Sequence, residues 1–253
     1  MLIRRVTPRI DNVRGDGART SPRVASLRQR QQFPRTQAEA LAWSGVTWDY
    51  GIGDFTAAGA TALWGGVGLP NVTATVTAVG TPFPGQKAGE TDDVGGRWRA
   101  VNNTVFQLGS NPFAILTILE IVAVSDAGDR LFGKFGGGVG WQVQPTVLGN
   151  LIANANDGTT SASATLTSDH RGIGAFPLFM RGIPGGLLTL RSTLGVATVA
   201  MGSLTLDNIG IFAYPAWNGF SPLVRVYNYL TSIGANALGI DDAAMFDQIW
   251  KGP

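Results

Sequence analysis

The stretch that decides the expected fold is Leu204–Leu230, LTLDNIGIFAYPAWNGFSPLVRVYNYL. It contains two runs in which apolar and polar residues alternate, separated by a segment rich in turn-forming residues. In the first run Leu204 and Leu206 alternate with polar neighbours, and in the second Val224 and Val226 share one face. A period of two is typical of antiparallel strands that are buried on one side. The stretch therefore predicts two strands joined by a turn.

The same stretch resembles the closing strands of concanavalin A-like, laminin-G-like jelly rolls. The resemblance rests on a strand that ends in Ile-Gly, a small aromatic turn around Pro215, Asn218 and Gly219, and a last strand that reads VRVYNYL. It extends over roughly 104–230. The resemblance implies an all-β chain folded as an antiparallel β-sandwich of the concanavalin A-like type.

Further strand patterns precede this stretch. Phe113–Val124 is a nearly continuous apolar run that contains the single charged residue Glu120, and its β-branched residues favour a central strand over a helix. Shorter alternating runs are Val72–Ala78, Trp141–Val147, Ser161–Thr167, Leu187–Thr193 and Ala197–Ala200. Many short strands separated by Gly, Asn and Asp turns predict a β-sandwich over 46–230.

Short helices are expected on either side of the sandwich. Thr36 and Glu39 form a capping box, which predicts a short helix or hinge over 36–45. In the C-terminal segment 231–253, apolar residues spaced four apart around Met245 and Ile249 predict a second short helix.

Residues 1–35 differ from the rest of the chain in charge. They contain nine arginines and two aspartates, a net charge of +7, whereas the remainder has ten basic and fifteen acidic residues, a net charge of −5. The segment has too few apolar residues for a core of its own, so we expect an extended N-terminal arm that binds a partner. The expected partner-binding residues are Arg4, Arg5, Arg9, Arg14, Arg19, Arg23, Arg28, Arg30 and Arg35.

The composition excludes several classes of site. The chain has no cysteine and one histidine, which excludes a disulfide framework, thiol chemistry and a multi-histidine metal site. Its apolar runs are all shorter than the roughly eighteen residues that a membrane span needs, and its start does not resemble a signal peptide. These features predict a protein made inside a cell.

Two catalytic motifs are incomplete. Gly128–Lys134 matches the first seven positions of a phosphate-binding loop, but Phe135 stands where Ser or Thr would bind Mg²⁺, so a strand–turn–strand with an exposed lysine is expected instead. Glycoside hydrolysis needs a facing pair of carboxylates. The three glutamates (Glu39, Glu90 and Glu120) do not have the alternate spacing of the glucanases of this fold, and a structural or interface role is expected for Glu120. We therefore expect no catalytic residues.

Ligand sites are less constrained by the sequence. Asp126 with Asp129, and Asp157 with its neighbouring asparagines, leave calcium open as a ligand, although solvated turns fit these clusters better and no other cofactor is expected. If a glycan is bound, Trp217 and Asn218 are the expected contacts, because an aromatic face and an amide suit a sugar. Other tryptophans considered for an exposed aromatic row are Trp48, Trp64 and Trp141.

Taken together, these features resemble those of a bacteriophage virion component. A jelly roll with a basic arm is expected to be a capsid decoration or a tail fibre or spike module, non-enzymatic, located in the virion and assembled as a homo-oligomer. The arm is expected to bind other capsid or tail proteins rather than nucleic acid, since Phe33 is its only aromatic residue. The alternative is a carbohydrate-binding module that recognises a host cell-surface glycan.

Overall fold

The computed structural model describes part of the chain, mostly in its C-terminal two thirds. The described residues are 46–50, 55–56, 59–60, 69–72, 75–77, 88–90, 97–100, 107–124, 129–136, 138–206, 211–214, 222–234 and 237. The arm 1–35, the hinge helix 36–45 and the helix expected around Met245 lie outside them. No helix among the described residues is long and apolar enough to cross a membrane.

The described residues form two antiparallel sheets, as the sequence predicts for a β-sandwich. The eight-stranded sheet has the order β15-β14-β13-β8-β17-β6-β5, and β1 pairs with β17 as well. Its strands are β1 (Val46–Tyr50), β5 (Thr75–Thr77), β6 (Ala88–Glu90), β8 (Phe113–Ala123), β13 (Phe176–Gly182), β14 (Leu187–Ser192), β15 (Gly195–Ala200) and β17 (Leu223–Ile233).

The nine-stranded sheet has the order β12-β11-β10-β9-β16-β7-β4-β3-β2. Its strands are β2 (Phe55–Thr56), β3 (Gly59–Ala60), β4 (Leu69–Val72), β7 (Arg97–Ala100), β9 (Phe132–Gly136), β10 (Val139–Pro145), β11 (Leu151–Asn156), β12 (Ser161–Leu166) and β16 (Ile211–Tyr214). Consecutive strands from β9 to β12 are joined as antiparallel neighbours, so this part of the sheet is a meander.

The pair β8 and β17 forms the centre of the eight-stranded sheet. β8 is the predicted apolar strand, and β17 pairs with it along its whole length, from Leu223 to Ile233. The register shifts between Val226 and Asn228, which marks a bulge in the VRVYNYL segment. Val224 and Val226 are buried on the inner face, as their alternation predicts.

The core lies between the two sheets. Ile115, Ile121, Leu206, Val224 and Val226 are buried in it, where the apolar patterns of the sequence place them. Val124, which the same patterns place in the interior, is only partly buried and packs against the core. Each fully buried aliphatic side chain stabilises the fold by roughly 1.5–3 kcal/mol.

The sequence patterns also place Ile118 and Ile211 in the core. Ile118 is also fully buried, but it is not part of the cluster between the sheets. The side chain of Ile211, the other residue expected in the core, lies outside the described residues.

The segment that opens the diagnostic stretch is not a strand where we predicted one. Leu204 and Leu206 are buried and Thr205 is exposed, so the alternation of burial is as predicted, but residues 201–206 are irregular. The Leu206 amide donates to the carbonyl of Gly109 (2.9 Å), a loop rather than a neighbouring strand. The strand of this region is β16, which begins later, at Ile211.

Candidate functional site

The outward face of strands β10, β11 and β12 carries a concentration of uncharged polar side chains. Each strand alternates between the two faces of the sheet, so that residues such as Trp141, Ala153 and Ala164 enter the core. The side chains between them point away from the core. We call six of these side chains the amide face: Gln142, Gln144, Asn154, Asn156, Ser161 and Ser163.

The strand register places these side chains in rows. Gln142 lies opposite Asn154, and Asn154 lies opposite Ser163, so the three form one row across three strands. Asn156 and Ser161 form part of a second row. Neighbouring strands are roughly 4.8 Å apart and alternate residues on a strand are roughly 7 Å apart. The amide face is therefore a flat grid of donors and acceptors rather than a deep pocket.

Gln142 is the most buried member of the amide face, with 5% of its surface exposed. Its Nε2 donates to Oε1 of Gln144 (2.7 Å). Its Oε1 is buried and accepts no hydrogen bond from the described residues. A buried acceptor of this kind costs free energy unless a water molecule or a ligand hydroxyl supplies a donor.

Gly133 on β9 makes room for Gln142. The two residues lie opposite each other in the sheet. A Cβ atom at Gly133 would lie 2.7 Å from both Cα and Cβ of Gln142, closer than side chains tolerate. A glycine is therefore required beside this end of the amide face.

The amide face carries no formal charge. Strands β10, β11 and β12 contain no Asp, Glu, Lys or Arg. Charged residues border the amide face: Asp157 directly follows Asn156 at the end of β11, and on the β9 side the guanidinium of Arg130, two residues before that strand, lies over the ring of Phe135, 4.9 Å from its centroid. Burial lowers the pKa of Arg130 from its ordinary value. Phe135 lies opposite Gly140, so this aromatic ring borders the second row of the amide face.

The chemistry of the amide face suits a neutral, hydroxylated ligand. Each amide offers both donors and acceptors, and each serine hydroxyl can do either. Part of this capacity is used within the protein, since Oδ1 of Asn156 accepts from the amide of Gly158 (2.7 Å). The remaining groups form a surface that can exchange hydrogen bonds with several hydroxyls at once.

The site residues predicted from the sequence do not fall on the described surface. Trp217, Asn218 and the nine arginines of the arm lie outside the described residues, as do Trp64 and the side chain of Trp48. Trp141 is fully buried in the core. It therefore cannot contribute to an exposed aromatic row, and this part of the expectation is wrong.

The lysine of the incomplete phosphate-binding loop is buried rather than exposed. The loop does form the expected strand–turn–strand, with β9 and β10 as a hairpin. Lys134 is fully buried and lies opposite Trp141 on the core side of β9. We predicted an exposed lysine because alternation alone does not say which face of a Gly-rich strand is the inner one.

Glu120 belongs to an ion-pair cluster on three adjacent strands. Arg225 on β17 lies opposite Glu120 on β8 and Glu90 on β6. Its Nη1 donates to Glu120 Oε2 (3.1 Å), and its Nε donates to Glu90 Oε2 (2.7 Å). Hydrogen bonding to Glu90, the larger effect, and to Glu120 raises the pKa of Arg225. Glu90 is the last residue of β6.

His170 is a buried structural residue. Its Nδ1 is 2.7 Å from the carbonyl of Ser168, and its Nε2 is 2.7 Å from Oγ of Ser192. Since a carbonyl can only accept, Nδ1 carries the proton, and Nε2 accepts from the hydroxyl of Ser192. The ring also packs against Phe176 at 5.3 Å. His170 therefore joins the loop before β13 to the end of β14.

The two acidic turns considered for calcium differ in their surroundings. Asp129 is buried, and Asp126 lies outside the described residues. Oδ1 of Asp157 accepts from the amides of Thr159 and Thr160 at 2.9 and 2.8 Å, and these bonds lower its pKa to about 2. Within the described part of the chain, no three metal-ligating side chains come together.

Comparison with known proteins identifies related folds but no sequence family. No protein-family model and no curated protein sequence matches the chain. Several solved structures are similar. The match to the binding domain of Paraclostridial Mosquitocidal Protein 1 has a TM-score of 0.60 and 10% identity, and it covers 82% of this chain and 52% of that chain. The match to the binding domain of botulinum neurotoxin DC in complex with SialylT has a TM-score of 0.57 and 12% identity, and it covers 83% of this chain and 52% of that chain. A Trypanosoma rangeli sialidase in complex with sialic acid is also similar (TM-score 0.59, 10% identity, 90% and 37%).

These similarities support the β-sandwich fold but do not indicate what the chain binds. At 10–12% identity a structural match shows the fold alone. The chain spans about half the length of the two toxin binding domains, 52% of each. The ligands in these names therefore belong to larger molecules of which this chain resembles one part.

Proposed function

We propose that this chain is a non-enzymatic module that binds a neutral glycan on its amide face. The observation that carries the proposal is the uncharged grid formed by Gln142, Asn154, Ser163 and their neighbours on three adjacent strands. Glycans present many hydroxyls in a plane, and amide and hydroxyl side chains match them as donors and acceptors.

The comparisons support a glycan ligand only in general terms. Two of the similar structures contain SialylT or sialic acid, so related sandwiches occur in proteins that bind sugars. A sialic acid carries a carboxylate, which usually needs a cation at its site. The strands of the amide face supply none, and the proposed ligand is therefore neutral.

The absence of catalysis is part of the proposal. Of the three glutamates, Glu90 and Glu120 are tied to Arg225, which makes them poor candidates for a free acid–base pair. We expect a screen on β-glucans and surface polysaccharides to show binding without turnover. Hydrolysis that disappears in a Glu120→Gln variant would contradict this expectation.

A glycan array with matched variants tests the binding site. Asn154→Ala removes the amide at the centre of the first row, and we expect a loss of at least tenfold in affinity, since unpaired ligand hydroxyls cost about 1–3 kcal/mol. The matched control is Asn111→Ala, which removes an exposed asparagine from the turn before β8. Trp217→Ala tests the site predicted from the sequence. Binding that is unchanged by Asn154→Ala and lost in Trp217→Ala would overturn the assignment to the amide face.

We further propose that the module is attached to a bacteriophage particle through its N-terminal arm. Support comes from the charge contrast, +7 in residues 1–35 against −5 in the remainder. Arginine forms bidentate pairs with carboxylates, so an acidic surface on a capsid or tail protein would order such an arm. Deletion of residues 1–35 should leave the thermal transition of the sandwich unchanged and abolish incorporation into particles. Normal incorporation of the truncated chain would refute this role.

A further inference from the structure

Strand β15 forms one edge of the eight-stranded sheet. Among the described residues it pairs only with β14, in a regular register without a bulge. Its sequence, GVATVA, has no charge and no proline. Natural proteins usually protect an edge strand with a charged residue, a proline or a bulge, because an unprotected edge pairs with other strands. β15 has none of these features.

The edge is also apolar and exposed. Val196 is 59% exposed, and Leu194 and Leu187 are 43% and 49% exposed. Leu187 lies opposite Ala200 at the far end of β15, whereas Leu194 lies in the turn that precedes the strand. Apolar surface is therefore exposed at both ends of the same edge.

The strand is complementary to itself in one antiparallel register. Ala197 and Val199 face the core and pack against it, whereas Val196, Thr198 and Ala200 point outward. A twofold axis through Thr198 would pair Val196 with Ala200 of a second copy, and Ala197 with Val199. This register keeps every side chain on its own face of the sheet. It also brings exposed Val196 of one copy towards Leu187 of the other.

We propose that β15 pairs with β15 of a second copy of this chain, which joins two eight-stranded sheets into one continuous sheet. The partner is a second copy because β15 itself carries no charge and because the twofold register covers the apolar ends mutually; Arg191, opposite Val196, belongs to the inner neighbour β14. In a closed C2 dimer the β15 edges of the two copies pair with each other. Neither β15 edge then remains free to add a third copy. The inference is independent of the proposed glycan site, which lies on the other sheet.

The first test is the mass of the full-length chain in solution by light scattering. The wild-type chain should be a dimer, and Val196→Lys should be a monomer, because two lysines would be placed beside the apolar edge of the partner. The matched control is Leu148→Lys, which adds the same charge at a residue that is 67% exposed in the β10–β11 turn, and it should remain a dimer. Circular dichroism confirms that both variants fold.

The second test locates the twofold axis. The chain has no cysteine, so Thr198→Cys introduces a unique thiol. Paired residues across antiparallel strands have Cβ atoms roughly 4.5–5.5 Å apart, so a short thiol–thiol cross-linker should convert Thr198→Cys to covalent dimers. Ser163→Cys, which is exposed on the other sheet, should not cross-link. A monomeric wild-type chain, a dimer that survives Val196→Lys, or a dimer in which Thr198→Cys does not cross-link would each overturn the proposal.

Discussion

At the scale of single residues, His170 has well-defined surroundings and a clear pH dependence. Burial, the largest effect, lowers its pKa from the ordinary value of 6.5. Below pH 6.5 the His170 imidazole is therefore protonated more readily in the unfolded chain than in the folded protein. Since stability rises with pH wherever the unfolded state binds more protons, stability should decrease as the pH falls below about 6.5.

The variant His170→Gln tests this pH dependence. It removes the titrating ring, so the loss of stability between pH 7.5 and 5.5 should become smaller than in the wild type. Ser192→Ala is the control, because it removes the hydrogen bond to Nε2 but keeps the imidazole, and the pH dependence should persist. Thermal melts at both pH values provide the measurement. An equal loss of stability between pH 7.5 and 5.5 in the wild type and in His170→Gln would contradict the assignment of this pH dependence to His170.

Gly149 is a second residue whose role is determined by its surroundings. Its φ of +80° disfavours any side chain, and a Cβ atom would overlap Oδ1 of Asp169, which pairs with Arg171. Gly149→Ala should destabilise the protein by about 1–3 kcal/mol or more. Gly172→Ala is the control. Gly172 has a φ of +67°, but a Cβ atom there would have no neighbour within 4 Å, so this variant measures the backbone strain without a steric clash. Urea unfolding should show a larger cost at Gly149, and equal costs would exclude the steric effect.

At the scale of elements, local patterns predicted the strongly apolar strands and missed others. β8 was predicted because its apolar run is long and rich in β-branched residues, and β17 was predicted because its residues alternate, with Val224 and Val226 on one face. β11, LIANAN, was missed because its inward residues are largely alanines, which carry little strand preference. β13, FPLFMRG, was missed because it contains a proline, which normally argues against a central strand.

The cluster around Arg225 stabilises three neighbouring strands. Its side chain is 27% exposed, and those of Glu90 and Glu120 are each 19% exposed. Arg225→Met leaves both carboxylates without this partner and should cost about 1–3 kcal/mol, between the values for exposed and buried pairs. Arg171→Met, in the more exposed pair with Asp169, should cost less, because solvent screens that pair. Denaturant titration compares the two variants, and an equal or smaller cost at Arg225 would argue against this role.

At the scale of the whole molecule, the sequence predicted the fold better than the site. The fold follows from alternation that can be read along the chain. The amide face depends on the alignment of Gln142, Asn154 and Ser163 across three strands, which is set by pairing register and not by local sequence. Before the register was known, Asn154 and Asn156 could only be considered as part of a calcium turn beside Asp157.

Side-chain amide NMR distinguishes glycan binding on the amide face from binding elsewhere on the protein. Titration of a neutral glycan found on the array into the ¹⁵N-labelled chain should shift the NH₂ signals of Gln142, Gln144, Asn154 and Asn156 together, with one dissociation constant. Assignment comes from single substitutions at these positions. Signals of these four side chains that remain unchanged at saturating glycan, while those of Trp217 and Asn218 move, would contradict the account.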